Sequence, residues 1–111
     1  MKFVIAWLTL KPGKRNEFMA LAQPFIAATL QEEGVVFFEF HHNSDDPDGV
    51  VVVECYKNHE AHELHWTTPH FVEMWKHVER LAMEGRFQNI FAERVTPDAA
   101  SFDGGTSSKA S

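Results

Sequence analysis

Apolar residues from Phe3 to Leu10 fall on both faces of an extended segment, which predicts a central strand covered on both sides, and Lys11-Pro12-Gly13 breaks it. Phe18, Leu21, Ala22, Phe25, Ile26 and Leu30 then recur at helical spacing, predicting an amphipathic helix over residues 14–33 that ends before Gly34. Pro24 sits inside that stripe. It removes one backbone bond, but the stripe continues in phase beyond it, so a bend rather than a stop is predicted. Val35 to His42 alternates as a strand, with Val36, Phe38 and Phe40 on one face and Phe37, Glu39 and His41 on the other. The turn-forming run from Ser44 to Gly49 joins it as a hairpin to a β-branched strand, Val50 to Tyr56.

Asn58 is placed to cap a short helix whose inward stripe is read as Ala61, Leu64 and His65. Thr67-Thr68-Pro69 stops that helix and starts the next, because Pro disfavours the α conformation before it yet suits a first helical position capped by Thr. In the longer helix that follows, Phe71, Met74, Trp75, Val78, Leu81 and Ala82 form the core stripe, and His70, Glu73, His77 and Arg80 share the polar face. Gly85 is read as the helix end, and Arg86 to Val95 as a last strand.

The order β-α-β-β-α-α-β predicts an α+β, ferredoxin-like split βαβ fold with a four-stranded antiparallel sheet. One domain over residues 1–97 is expected, followed by a flexible C-terminal tail, 98–111, too polar and small to bury much. Helices would cover one sheet face. The strands carry bulky apolar residues on both, so a second copy of the sheet is the economical cover, giving a homodimeric α+β barrel whose partly spare interior could take a small ligand.

A net charge of −6 argues against nucleic acid and against an anionic membrane surface, and no stretch is long enough to span a bilayer. The single cysteine, Cys55, lies in a predicted inner strand and reads as a small core hydrophobe, which fits a reducing, cytoplasmic setting. The seven histidines suggest no metal site: His59, His62 and His65 step around their helix by about 60° each, and His41 and His42 point to opposite faces. From the helix stripe alone, His65 reads as a core histidine with a satisfied ring. A general base, or an anchor for a substrate oxygen, is the alternative.

Lys11-Pro12-Gly13, Glu32-Glu33-Gly34, Glu54-x-Tyr56, Ala61, His65 and Thr68-Pro69-His70-Phe71 together resemble the antibiotic biosynthesis monooxygenase (ABM) domain family, also described as quinol monooxygenases, of the dimeric α+β barrel superfamily. The resemblance implies a cytoplasmic homodimer that oxidises a small or polycyclic hydroxylated aromatic with O2 and without flavin, haem or metal cofactor. It makes His65 the candidate catalytic base. Phe40, Tyr56, Trp66, Phe71 and Trp75 become candidates to orient or wall in the substrate, with Tyr56 standing where Trp is common in the family.

The segment from Glu54 to His70, with Gln31-Glu32-Glu33-Gly34, also resembles the isomerase of phosphorylated autoinducer-2, a dione; Arg86 and Arg94 are then the available cations. Haem-degrading relatives carry a histidine near Met74-Trp75-Lys76-His77, but His77 falls on the polar face, which argues against that activity. A non-catalytic dimer binding a small ligand would share all of the architecture.

Overall fold

In the computed structural model, which describes residues 1–91, the alternation in the first segment becomes the axis of the fold. β1 (Lys2–Leu10) buries every second residue, from Lys2 and Val4 to Leu10, beneath the helices. It pairs antiparallel with β3 (Gly49–Tyr56) on one side and β4 (Ala82–Phe91) on the other, and β2 (Val35–His42) adds to β3. The resulting order, β2-β3-β1-β4, is the ferredoxin-like arrangement expected of the element sequence.

α1 (Arg15–Thr29), α2 (His59–Trp66) and α3 (Pro69–Leu81) lie on one face of this sheet. Phe18, Ala22 and Phe25 of α1 and Met74 and Leu81 of α3 close the core against Ala6, Leu8, Leu10, Phe38, Val50 and Val52. Pro24 lies within α1, which runs on through it. Gly13 takes a positive φ of 76° in the turn after β1, a conformation that costs glycine little, and its N–H donates to Asp48 of the hairpin. Arg15 reaches the same hairpin through the carbonyls of Asp46 and Gly49, at 3.0 and 3.3 Å, so the start of α1 is fastened to the β2–β3 connection.

The helix caps form as the sequence indicates. The Asn58 side chain accepts from Ala61 N–H at 2.8 Å, and the Thr68 hydroxyl accepts from Phe71 N–H while donating to the carbonyl of His65. Elsewhere the structure departs from the sequence reading. α1 ends at Thr29, which takes the last buried place on the stripe, and Leu30 is exposed. Val36 falls at an irregularity in the β2–β3 pairing and is exposed rather than sharing a face with Phe38 and Phe40.

α2 is rotated from its expected phase: His62 and His65 are buried and Leu64 is 67% exposed. Packing sets this phase. Gly34 lies so close to Ala61 that an added Cβ would stand 2.3 Å from the Ala61 Cβ, which leaves His62, not Leu64, facing Tyr56.

Gly85 does not end a helix. α3 stops at Leu81, whose carbonyl accepts from Lys11 N–H at 2.8 Å, and Ala82 already pairs with Leu10. Gly85 lies inside β4 opposite Leu8, where a Cβ would come 2.9 Å from the leucine side chain. The expected continuation of the strand through 92–95 and the tail 98–111 lie outside the described residues. No described helix is long and apolar enough to cross a membrane.

Candidate functional site

A cavity of about 680 Å3 opens between the helices and the sheet within one chain. That is within the usual range for small-molecule sites, and it is not the space between two sheets that the sequence suggested. Phe18 and Phe25 of α1, Phe40 of β2 and Met74 of α3 supply apolar wall. Of the residues singled out from the sequence, Phe40, His65, Trp66, Phe71 and Trp75 all border this one cavity. Tyr56 does not. It is fully buried behind the wall, with its ring 4.6 Å from that of His62 and 5.6 Å from that of His65, and its hydroxyl donates to Glu54.

His65 is 1% exposed and packed among the rings of Phe38, Tyr56 and Phe71, at 5.2–5.6 Å between centroids. Its Nδ1 lies 2.7 Å from Glu32 Oε2, in the turn after α1. The same oxygen lies 2.6 Å from Nε2 of His70, on α3. A carboxylate only accepts, so Nδ1 of His65 carries the hydrogen, and Nε2 is left as the ring nitrogen with a free lone pair. Burial pushes the His65 pKa down from 6.5 and outweighs the opposing pull of Glu32, so the ring is neutral at neutral pH. A neutral imidazole held by a carboxylate at the edge of an apolar cavity is equipped to take a proton.

A second group of polar residues borders the same cavity. Glu54 is 8% exposed, and its pKa is pushed up to about 7 by burial, against the opposing effects of the Tyr56 bond and the Lys2 charge. Burial first, and Lys2 second, push His62 down to about 4. His62 lies between the tilted rings of Tyr56 and Trp66, and its buried Nδ1 has no hydrogen-bond partner.

Glu32, His65 and His70 also correct the view that no three metal-ligating groups converge. One donor atom from each lies within 4.8 Å of the others. Two imidazoles and a carboxylate are ligand types that divalent ions take. Here both imidazoles hydrogen-bond to the carboxylate, so an ion would have to displace the hydrogens between them. His70 therefore does not belong to the open polar face of α3.

Glu32, His70, Lys2 and Glu54 are the site residues that the sequence reading passed over. Lys2 and Glu54 carried a legible signal, since both are charged residues at inward registers of buried strands. Glu32 and Glu54 were quoted only within motifs, and His70 within a motif and on the polar face of its helix.

The sequence pattern of the antibiotic biosynthesis monooxygenase family matches residues 1–76. An uncharacterised protein of Synechocystis sp. is 32% identical over 66 residues, a match covering 60% of this chain and 45% of that protein. YcnE of Bacillus subtilis, provisionally named a monooxygenase, is 30% identical over 66 residues, covering 60% of this chain and 70% of its own. The matched segment thus accounts for less than half of the first relative. Among solved structures, a Nitrosomonas europaea protein provisionally named an antibiotic biosynthesis monooxygenase superposes with a TM-score of 0.79 at 21% identity, over 85% of this chain and 100% of that one, which establishes the shared fold.

The buried carboxyl has a measurable consequence. Between pH 4.5 and about 7 the folded chain keeps a proton on Glu54 that the unfolded chain has released, so this group lowers stability progressively as pH rises through that window. His62 acts in the opposite sense, its stabilising contribution being lost as pH falls from 6.5 towards about 4. Glu54→Gln is expected to gain stability relative to the parent as pH is raised from 4.5 to 7, by up to about 3 kcal/mol, measured by urea unfolding. A difference that does not change with pH would contradict the assignment.

Proposed function

The chain belongs to the antibiotic biosynthesis monooxygenase family, and from that premise we propose that it is a monooxygenase that oxidises a hydroxylated, quinol-type aromatic with O2. The observation that carries this reading is His65: its Nδ1 is held 2.7 Å from Glu32, and its ring borders a large cavity walled by Phe40, Phe71 and Trp75. Nε2 of His65 removes the hydroxyl proton of the bound phenol. The phenolate, richer in electrons than the phenol, gives one electron to O2, and the phenoxyl radical and superoxide join at a ring carbon as a peroxide anion, which takes its proton back from His65. The ring hydroperoxide loses its ring hydrogen as the O–O bond breaks, leaving a quinone and one water. The substrate supplies all four electrons, and the departing hydroxide takes up the ring proton as the water.

The protein's contribution is a positioned base and a wall that keeps water from the intermediates. The isomerase reading has less support. Arg86 lies over the Trp7 ring at 4.0 Å, on the sheet face away from the cavity, and Arg94 is outside the described residues.

The helix-free face of the sheet carries Phe3, Ile5, Trp7, Phe37, Val51 and Val53, all only partly buried. An apolar face of this extent favours a second copy of the chain as its cover, sheet against sheet, and the active protein is proposed to be a homodimer.

Purified protein is expected to consume O2 with hydroquinones or naphthols, forming quinone in a one-to-one ratio with O2. His65→Ala should lower the rate by about 10²–10⁴-fold while the fold, followed by circular dichroism, is kept. No uptake with any of these substrates would contradict oxygenation and turn attention to phosphorylated diones. In sedimentation equilibrium the chain is expected to run at twice its own mass, and Ile5→Glu at its own mass. A parent chain that sediments as a monomer would refute the dimer.

A further inference from the structure

Lys2 occupies an unusual place for a lysine. As the first residue of β1 it falls on the inward register with Val4 and Ala6, and it is 3% exposed. It borders the cavity together with Glu54, His62, Trp66, Asn89 and Phe91. Its Nζ donates to His59 Nδ1 at 2.9 Å and stands 5.3 Å from the Phe91 ring centroid and 5.8 Å from that of Trp66. None of these three groups is a carboxylate; the other ring nitrogen of His59 lies 3.3 Å from Glu63. Among the described residues no carboxylate forms an ion pair with Lys2, although Glu54 borders the same cavity. A buried ammonium whose direct contacts are an imidazole and ring faces has no carboxylate paired with it, and a cation in that state is stabilised by an anion brought in from outside.

The cavity is also polarised along its length. By strand register Glu54 and Asn89 flank Val4 next to Lys2, which touches His59 and Trp66 of α2, whereas Leu8 lies further along β1; Phe18, Phe40 and Val78 add apolar wall. A ligand matched to it has an aromatic body and one acidic group at the polar end.

We propose that Lys2 is an anion-binding residue of the cavity, and that the aromatic substrate carries a carboxylate or an equally acidic oxygen that pairs with the Lys2 ammonium. The inference rests on the substrate reading given above and narrows it to an acidic class. Burial of Glu54 favours its neutral form below about pH 7, and in that range its carboxyl does not balance the Lys2 charge. His59 orients the ammonium, and Trp66 and Phe91 flank it.

The test is anaerobic isothermal titration calorimetry of the full chain with 6-hydroxy-2-naphthoic acid and with its neutral amide. With O2 removed, no turnover is required, so this result is separate from success or failure of oxygenation. The parent chain is expected to bind the acid at least about tenfold more tightly than the amide. Lys2→Met should abolish that preference without weakening the amide, and Lys2→Arg should retain it. In a parent chain with labelled lysines, the acid should shift the Lys2 ε-methylene signal and the amide should not, a reading that does not depend on any variant folding. Equal affinities for acid and amide, a preference that survives in Lys2→Met, an unmoved Lys2 signal, or no binding of either compound would overturn the proposal.

Discussion

The paired hydrogen bonds from His65 and His70 to one oxygen of Glu32, at 2.7 and 2.6 Å, are the constraint on which the site depends. They fasten three parts of the chain that are distant in sequence: the turn after α1, the last turn of α2 and the first turn of α3. Two residues five apart on a continuous helix would point about 140° away from each other. Here the helix is broken between them. Thr67-Thr68-Pro69 ends α2 and restarts α3, so His65 and His70 approach the same carboxylate from opposite sides of the break. The Thr68 side chain stitches the break itself, donating to the His65 carbonyl at 2.7 Å and accepting from Phe71 N–H at 3.3 Å.

That arrangement couples architecture to chemistry. Glu32 occupies one ring nitrogen of His65 and leaves the other unprotonated, while the surrounding aromatic rings strip water and keep the imidazole neutral. Glu54 shows the same physics acting on an acid. Burial keeps its carboxyl protonated to higher pH than in water, with the Tyr56 phenol as hydrogen-bond donor. The cavity therefore holds a base that is neutral at neutral pH and an acid that keeps its proton up to about pH 7, and Lys2 borders the same space. Low polarity elsewhere around the cavity strengthens each of these interactions relative to water.

Much of this fold was legible because strand alternation and capping are local. β2 could be bounded from its pattern alone, and Asn58, Thr68 and Pro69 mark the two helix starts by their own chemistry. The phase of α2 was not legible. Two helical turns hold too few apolar residues to define a stripe, and the rotation is set by the contact of Ala61 with Gly34, which joins two distant segments. Gly85 misled for a related reason: a glycine after a helical pattern reads as a stop, whereas this one makes room for Leu8 across the β1–β4 pair. His65 could be found by its place in a motif. Its partner Glu32 could not, because their approach depends on the angle of the helix break.

The central claim is that Glu32 fixes His65 as a neutral base with Nε2 presented to the cavity. Long-range 1H–15N correlation of the histidine rings at pH 7 tests this most directly, since protonated and lone-pair nitrogens resonate far apart. The account predicts that His65 carries its hydrogen on Nδ1 with Nε2 unprotonated, and that Glu32→Gln perturbs this state. A His65 ring protonated on both nitrogens, or on Nε2 alone, would contradict it.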